Sequence, residues 1–90
     1  MNHGQITKKQ IPHLLASVDD FEANVAERLP KLKPEFQQWV AESVAELRQR
    51  IQKQDYRFCL RSLARHLSVT FTRMESGEIK GINSLGGFDL

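Results

Sequence analysis

Two apolar stripes stepped at three and four residues, separated by a pair of prolines, constrain this 90-residue chain more than any other feature. The first runs Ile11, Leu14, Leu15, Val18, Phe21, Val25 and Leu29. The second runs Phe36, Trp39, Val40, Val44, Leu47 and Ile51. Residues at those spacings share one side of a helix, so each stripe predicts an amphipathic helix with one face to bury. Pro12 sits in the first turn, where its missing N–H is no loss. Between the stripes, Pro30-Lys31-Leu32-Lys33-Pro34 is a short connector. Pro30 should stop the first helix at Leu29. Pro34 should open the second, with Glu35 suited to its positive N-terminal end. The pair predicts an antiparallel helical hairpin whose second helix reaches about Lys53.

Asp55 is suited to cap a third helix from Tyr56 to about Leu67. One unbroken helix from Pro34 to Leu67 is the alternative. Phe58, Cys59, Leu63 and Leu67 supply the apolar side. The period then changes. Ser68-Val69-Thr70-Phe71-Thr72-Arg73 alternates and is rich in β-branched and aromatic residues, which predicts a strand. Glu75-Ser76-Gly77-Glu78 reads as a turn and Glu78 to Ile82 as the return strand. Gly86 and Gly87 argue against a further regular element in the tail. Residues 1–10 read as a frayed polar arm, and 11–90 as one small domain. The expected fold is mainly α (α+β): an antiparallel helical hairpin, a third helix and a C-terminal β-hairpin. Leu14, Leu15, Val18, Phe21, Val25, Trp39, Val40, Val44, Leu47, Ile51, Phe58, Leu63 and Leu67 should form the core or a dimer seam. A chain this short buries a modest core, so a homodimer is expected.

Several function classes have no footing in the residues. No segment approaches the ~20 apolar residues of a membrane span. Pro12, His13 and Asp19-Asp20 interrupt the N-terminal apolar run, so a signal peptide is not expected and the cytoplasm fits. Cys59 is the single cysteine, and His3, His13 and His66 are scattered, so neither a metal nor another cofactor is expected. No Asp or Ser near His66 completes a triad, and Gly86-Gly87 lacks the lysine and hydroxyl of a phosphate loop. The chain reads as a non-enzyme.

Charge is strongly segregated. Residues 1–46 carry a net −2, residues 47–74 a net +6 and residues 75–90 a net −2. Within the basic stretch, Arg57, Arg61 and Arg65 stand four residues apart and share a helix face. Like charges at that spacing weaken a helix, so the stripe needs a counter-charge. Arginine binds phosphate bidentately and is always charged, which makes nucleic acid the first expectation, DNA ahead of RNA. Arg50, Lys53 and Arg73 would extend the patch. An acidic protein partner, the chain's own acidic first helix and a plain solvated face are the other readings. A protein-interaction module, an inhibitor or assembly subunit using the amphipathic helices, is the alternative function.

Two resemblances add to this. Leu63-Ala64-Arg65-His66-Leu67-Ser68-Val69-Thr70 resembles the opening of a helix-turn-helix, with Ser68 in the usual glycine's place. Its recognition helix, Phe71 to Ser76, would have under two turns, too short to read a groove. Residues 55–88 resemble a segment that follows the nuclease domain in plasmid mobilisation relaxases of the MobA/MobL type. Ser68-Val69-Thr70-Phe71 matches the family's first strand. Gly77, Ile79, Gly81 and Ile82 match its turn and return strand. Leu67 stands where the family prefers glycine, and Asn83 stands near its aromatic position. The resemblance implies a DNA-handling module of plasmids or other mobile elements. It does not imply nuclease activity, because the family's histidine cluster and catalytic tyrosine have no counterpart here.

Overall fold

The structure is a computed structural model that describes residues 6–54 and 60–90, with side chains of the third helix described from residue 66 onward. Helix α1 spans Gln10–Val25, a 3-10 turn follows at Leu29–Lys31, and α2 spans Pro34–Gln52. Helix α3 spans Leu60–Ser76, and two short strands, β1 (Gly81–Ile82) and β2 (Phe88–Asp89), close the chain. The fold is mainly α with a small antiparallel hairpin at the C-terminus, as the sequence predicts. The positions of several elements differ from expectation, and each difference has a physical cause.

The first helix ends at Val25 rather than Leu29. Pro30 has no N–H to donate to the Ala26 carbonyl four residues back and its ring crowds that carbonyl, so α-helical bonding does not continue to Leu29 although Ala26 itself keeps helical dihedrals. The chain leaves the helix by way of the Arg28 N–H, which donates to the Val25 carbonyl at 2.9 Å, and Pro30 falls in the 3-10 turn. Helix α2 begins with Pro34 in its first turn, and the side-chain amide of Gln37 donates back to the Leu32 carbonyl at 2.8 Å. It ends at Gln52 because Gln54 takes a left-handed φ of 56°, which rules out an unbroken helix to Leu67. The expected cap Asp55 and the start at Tyr56 lie outside the described residues.

The largest correction concerns residues 68–76, expected as a strand and turn, which continue α3. Leu67, Thr70, Phe71 and Met74 are all buried. Their i, i+3, i+4, i+7 spacing is helical and competes with the period-two alternation of the same stretch. Helix propensity disfavours Val, Thr and Phe by only tenths of a kcal/mol each, whereas burying Phe71 and Met74 yields about 1.5–3 kcal/mol apiece. Hydroxyls that compete with the backbone elsewhere fold onto it here. Thr72 Oγ1 donates to the Ser68 carbonyl and Ser76 Oγ to the Arg73 carbonyl, both at 3.1 Å. No turn interrupts residues 60–76, so the helix-turn-helix reading falls. The residues matched to the relaxase segment's first strand are helical in this chain.

Gly77, with φ of 84°, ends α3 in a conformation that costs other residues about 1–2 kcal/mol. The Ile79 N–H closes back on the Arg73 carbonyl at 3.1 Å, which tucks Ile79 into the core. The hairpin therefore forms one step later than expected. Gly81 pairs with Asp89 and Ile82 with Phe88. The second strand comes from the tail, which the two glycines had argued against. Gly86, at φ 84°, makes the connecting turn, and Asn83 Oδ1 accepts the N–H groups of Leu85 and Gly87, both at 3.0 Å.

Helices α1 and α3 both pack on α2, as does β1. The helical stripes supply Val18, Val25, Val40, Val44, Leu47, Ile51 and Leu67 to the core, with Leu14, Leu15, Phe21 and Trp39 partly buried around it. Phe58 and Leu63 lie outside the described side chains. Leu32, Phe36, Phe71, Met74 and Ile79 join the core, none of them among the expected core residues. Ile6 joins it too, at 0 % exposure, and its carbonyl accepts the Gln54 side-chain amide at 2.7 Å. The arm is thus anchored at Ile6. The body measures 43 × 28 × 16 Å.

Candidate nucleic-acid interface

Helix α3 positions the candidate site. Arg61 and Arg65 both lie on it, one turn apart, and Arg57 lies outside the described residues. The buried positions Leu67, Thr70, Phe71 and Met74 define the inward side of α3. At 100° per residue, positions 61, 65, 69, 72 and 76 form a stripe on the opposite side. Val69 is 48 % exposed, and Ser68, Thr72 and Ser76 are exposed beside it. From Leu60 to Met74 the helix contains no acidic residue. His66 is exposed, consistent with a surface histidine.

The predicted extensions of the patch are arranged differently. Arg50 holds Glu46 one turn back on α2 at 2.8 Å, and Arg73 holds Glu78 beyond the end of α3 at 2.8 Å. Lys53 is exposed at the C-terminal cap of α2. Exposed ion pairs of this kind contribute about 0.2–1 kcal/mol, little enough for a phosphate to displace the carboxylate.

Two further arginines, which sequence reasoning left unassigned, absorb acidic charge. Arg48 of α2 reaches across to α1, pairing with Asp19 at 2.6 Å and with Glu22. The hydrogen bonds it donates to Glu22 and then to Asp19 raise its pKa, so it stays charged at every working pH. Arg28, just past α1, pairs with Glu75 of α3 at 2.9 Å and sits 5.3 Å over the Phe71 ring. The spacing Asp19…Glu22 matches one helical turn facing an opposing cation, a signal present in the sequence once the hairpin is assumed. The acidic first helix thus finds its counter-charge in Arg48.

Among the described residues, the aromatic side chains are committed to packing. Phe21 meets Phe71 edge-on, Trp39 meets Phe88 with centroids 5.5 Å apart, and Phe36 is buried. A groove of about 310 Å³ lies between α1 and α3, floored by Val18, Leu47, Leu67 and Phe71. Among the described residues, no group of three or more His, Cys, Asp or Glu is placed to hold a metal ion. No helix among them is long and apolar enough to cross a membrane. No protein-family model matches this chain, and neither a curated protein nor a solved structure matches it.

Proposed function

We propose that this is a small, non-enzymatic nucleic-acid-binding protein of the cytoplasm that presents the outward face of α3 to phosphate, with DNA preferred over RNA. One observation carries the reading: a 17-residue helix places Arg61 and Arg65 on a face that holds no acidic residue. The pairing elsewhere supports it. Asp19 and Glu22 are taken by Arg48, Glu46 by Arg50, Glu75 by Arg28 and Glu78 by Arg73. Arg57 stands at the same four-residue spacing in the sequence, outside the described residues, and Lys53 lies at the C-terminal end of α2. A role in handling plasmid or other mobile-element DNA rests only on the sequence resemblance of residues 55–88 to the relaxase segment, whose first-strand match, Ser68 to Phe71, is helical in this chain.

The test is a fluorescence-anisotropy titration into labelled DNA across a salt series. Micromolar binding that weakens steeply with salt is the expected outcome, because each neutralised phosphate releases a counterion. Absence of binding at low salt overturns the reading.

A second reading has its own observation. Ile11, Leu14, Leu15 and Phe21 of α1 are only partly buried, which favours an interaction module or a homodimer. Sizing by light scattering tests it: a strictly monomeric protein at high concentration removes the homodimer.

A further inference from the structure

The stripe on α3 has a shape as well as a charge. Positions 61, 65, 69, 72 and 76 run along ~22 Å of helix at 1.5 Å per residue. Its C-terminal half is low in profile. Val69 and Thr72 are short and β-branched, and the Thr72 and Ser76 hydroxyls are held against the helix backbone by their bonds to Ser68 and Arg73. None of the stripe positions on this half carries a long side chain. An α-helix about 10–12 Å across fits the major groove of B-form DNA, about 12 Å wide.

We propose that this stripe reads the major groove of double-stranded DNA, with Val69 and Thr72 against base edges and Arg61 and Arg65 on the flanking phosphates. The proposal rests on the nucleic-acid reading above and narrows it to one class of ligand. A straight helix follows the curving groove only over its middle turns, so Arg61, two turns from Val69, returns to the backbone, where arginine belongs, and Arg65, one turn from Val69, lies between that end and the base edges. Methyl groups on Val69 and Thr72 suit the C5-methyl of thymine, and a hydroxyl at Ser68 can pair with any base edge. Single strands are held on aromatic platforms, and no stripe position is aromatic. The A-form groove of duplex RNA is too deep and narrow for side chains to read.

The experiment compares a labelled DNA duplex, one of its strands alone and the RNA duplex of the same sequence, titrated with the full chain at matched salt. Duplex DNA should bind at least about tenfold more tightly than the other two. Val69→Asp, at an exposed position and checked for unchanged circular dichroism, should weaken duplex DNA binding by about tenfold or more. Val69→Asn, which alters no charge, should change the sequence recovered by selection from a random duplex pool. Equal affinity for the three ligands, tighter binding of the single strand, or indifference of duplex binding to Val69→Asp overturns the groove reading and leaves nucleic-acid binding standing. Failure to bind any of them overturns both.

Discussion

The ring of Phe21 meets the ring of Phe71 edge-on, with centroids 6.2 Å apart and planes at 88°, and this contact joins α1 to α3 across a floor supplied by α2. Arg28 lies over the same Phe71 ring while its guanidinium holds Glu75 one turn further along. The edge-to-face pair contributes about 0.5–1.5 kcal/mol beyond burial, and the cation adds a smaller amount at this exposed site. Phe71, at 1 % exposure, is therefore where the outer helices meet.

Substituting Phe71→Ala should lower stability by about 3–5 kcal/mol, and Val69→Ala should change it by less than about 0.5 kcal/mol. The pair distinguishes helix from strand. In a strand, residues 69 and 71 share a face and would respond alike; in α3 they lie on opposite sides. Urea denaturation of the two variants measures the difference.

Ile6→Ala should cost about 2–4 kcal/mol, far more than a side chain on a frayed arm. Gln54→Ala should cost less, about 0.5–1.5 kcal/mol, from loss of the hydrogen bond to the Ile6 carbonyl. If both variants unfold at the wild-type urea midpoint, Ile6 does not anchor the N-terminal segment.

The helical hairpin was legible because three signals agreed in Pro30, Pro34 and the two stripes, each independent of tertiary context. The second helix is found within one residue of its expected end, since Pro34 opens it and the last stripe residue, Ile51, lies next to its close. Residues 68–76 carried two periods at once. Val69-Thr70-Phe71-Thr72 alternates, and Leu67, Thr70, Phe71 and Met74 step by helical intervals. Only the presence of Phe21 and α2 opposite Phe71 decides between them, and a linear reading does not supply that. Ile6 was missed because a single apolar residue shows no period. The hairpin's second strand was missed because two-residue strands are defined by pairing with Ile82 and packing on Trp39, not by any run of their own. Of the candidate site, the arginine spacing was legible from the chain. The length of the helix bearing it was not, and that length removes the objection that a groove-reading helix has no room.

Gly77→Ala should destabilise the protein by about 1–2 kcal/mol, since a Cβ there meets no atom within 4 Å and the penalty comes wholly from the left-handed backbone. Gly81→Ala places its Cβ 3.6 Å from the Asp89 carboxylate, an ordinary contact, and should change stability by less than about 0.5 kcal/mol. In thermal melts of a chain this size the first variant should fall by roughly 4–15 °C and the second should stay near wild type.

Arg48→Met should lower stability by no more than about 1 kcal/mol, and the difference should shrink in high salt, as for other exposed pairs. Its pKa is raised in the fold by Glu22 and Asp19. A raised folded value means that the contribution is fully present below the ordinary arginine pKa and is lost only as pH climbs through the raised one. Between about pH 6 and 9 the gap between wild type and variant should therefore stay constant. A gap that changes within that range in denaturation at several pH values would assign the effect to a different group.

Arg61→Gln combined with Arg65→Gln should weaken DNA binding and reduce the slope of log K against log salt by about 1.8, at ~0.9 for each duplex phosphate contact removed. Arg48→Gln deletes a positive charge from the same small protein, but that charge already faces Asp19 and Glu22 across the α1–α2 seam. Its slope should match wild type. The comparison separates a local contact from a general dependence on net charge, since every variant stays below the wild-type net charge of +2. If Arg48→Gln lowers the slope as much per arginine as the double variant does, binding follows overall charge and α3 has no special place in it. If the double variant leaves the slope intact, the phosphates are held elsewhere, and Arg57 with Lys53 is the next pair to replace.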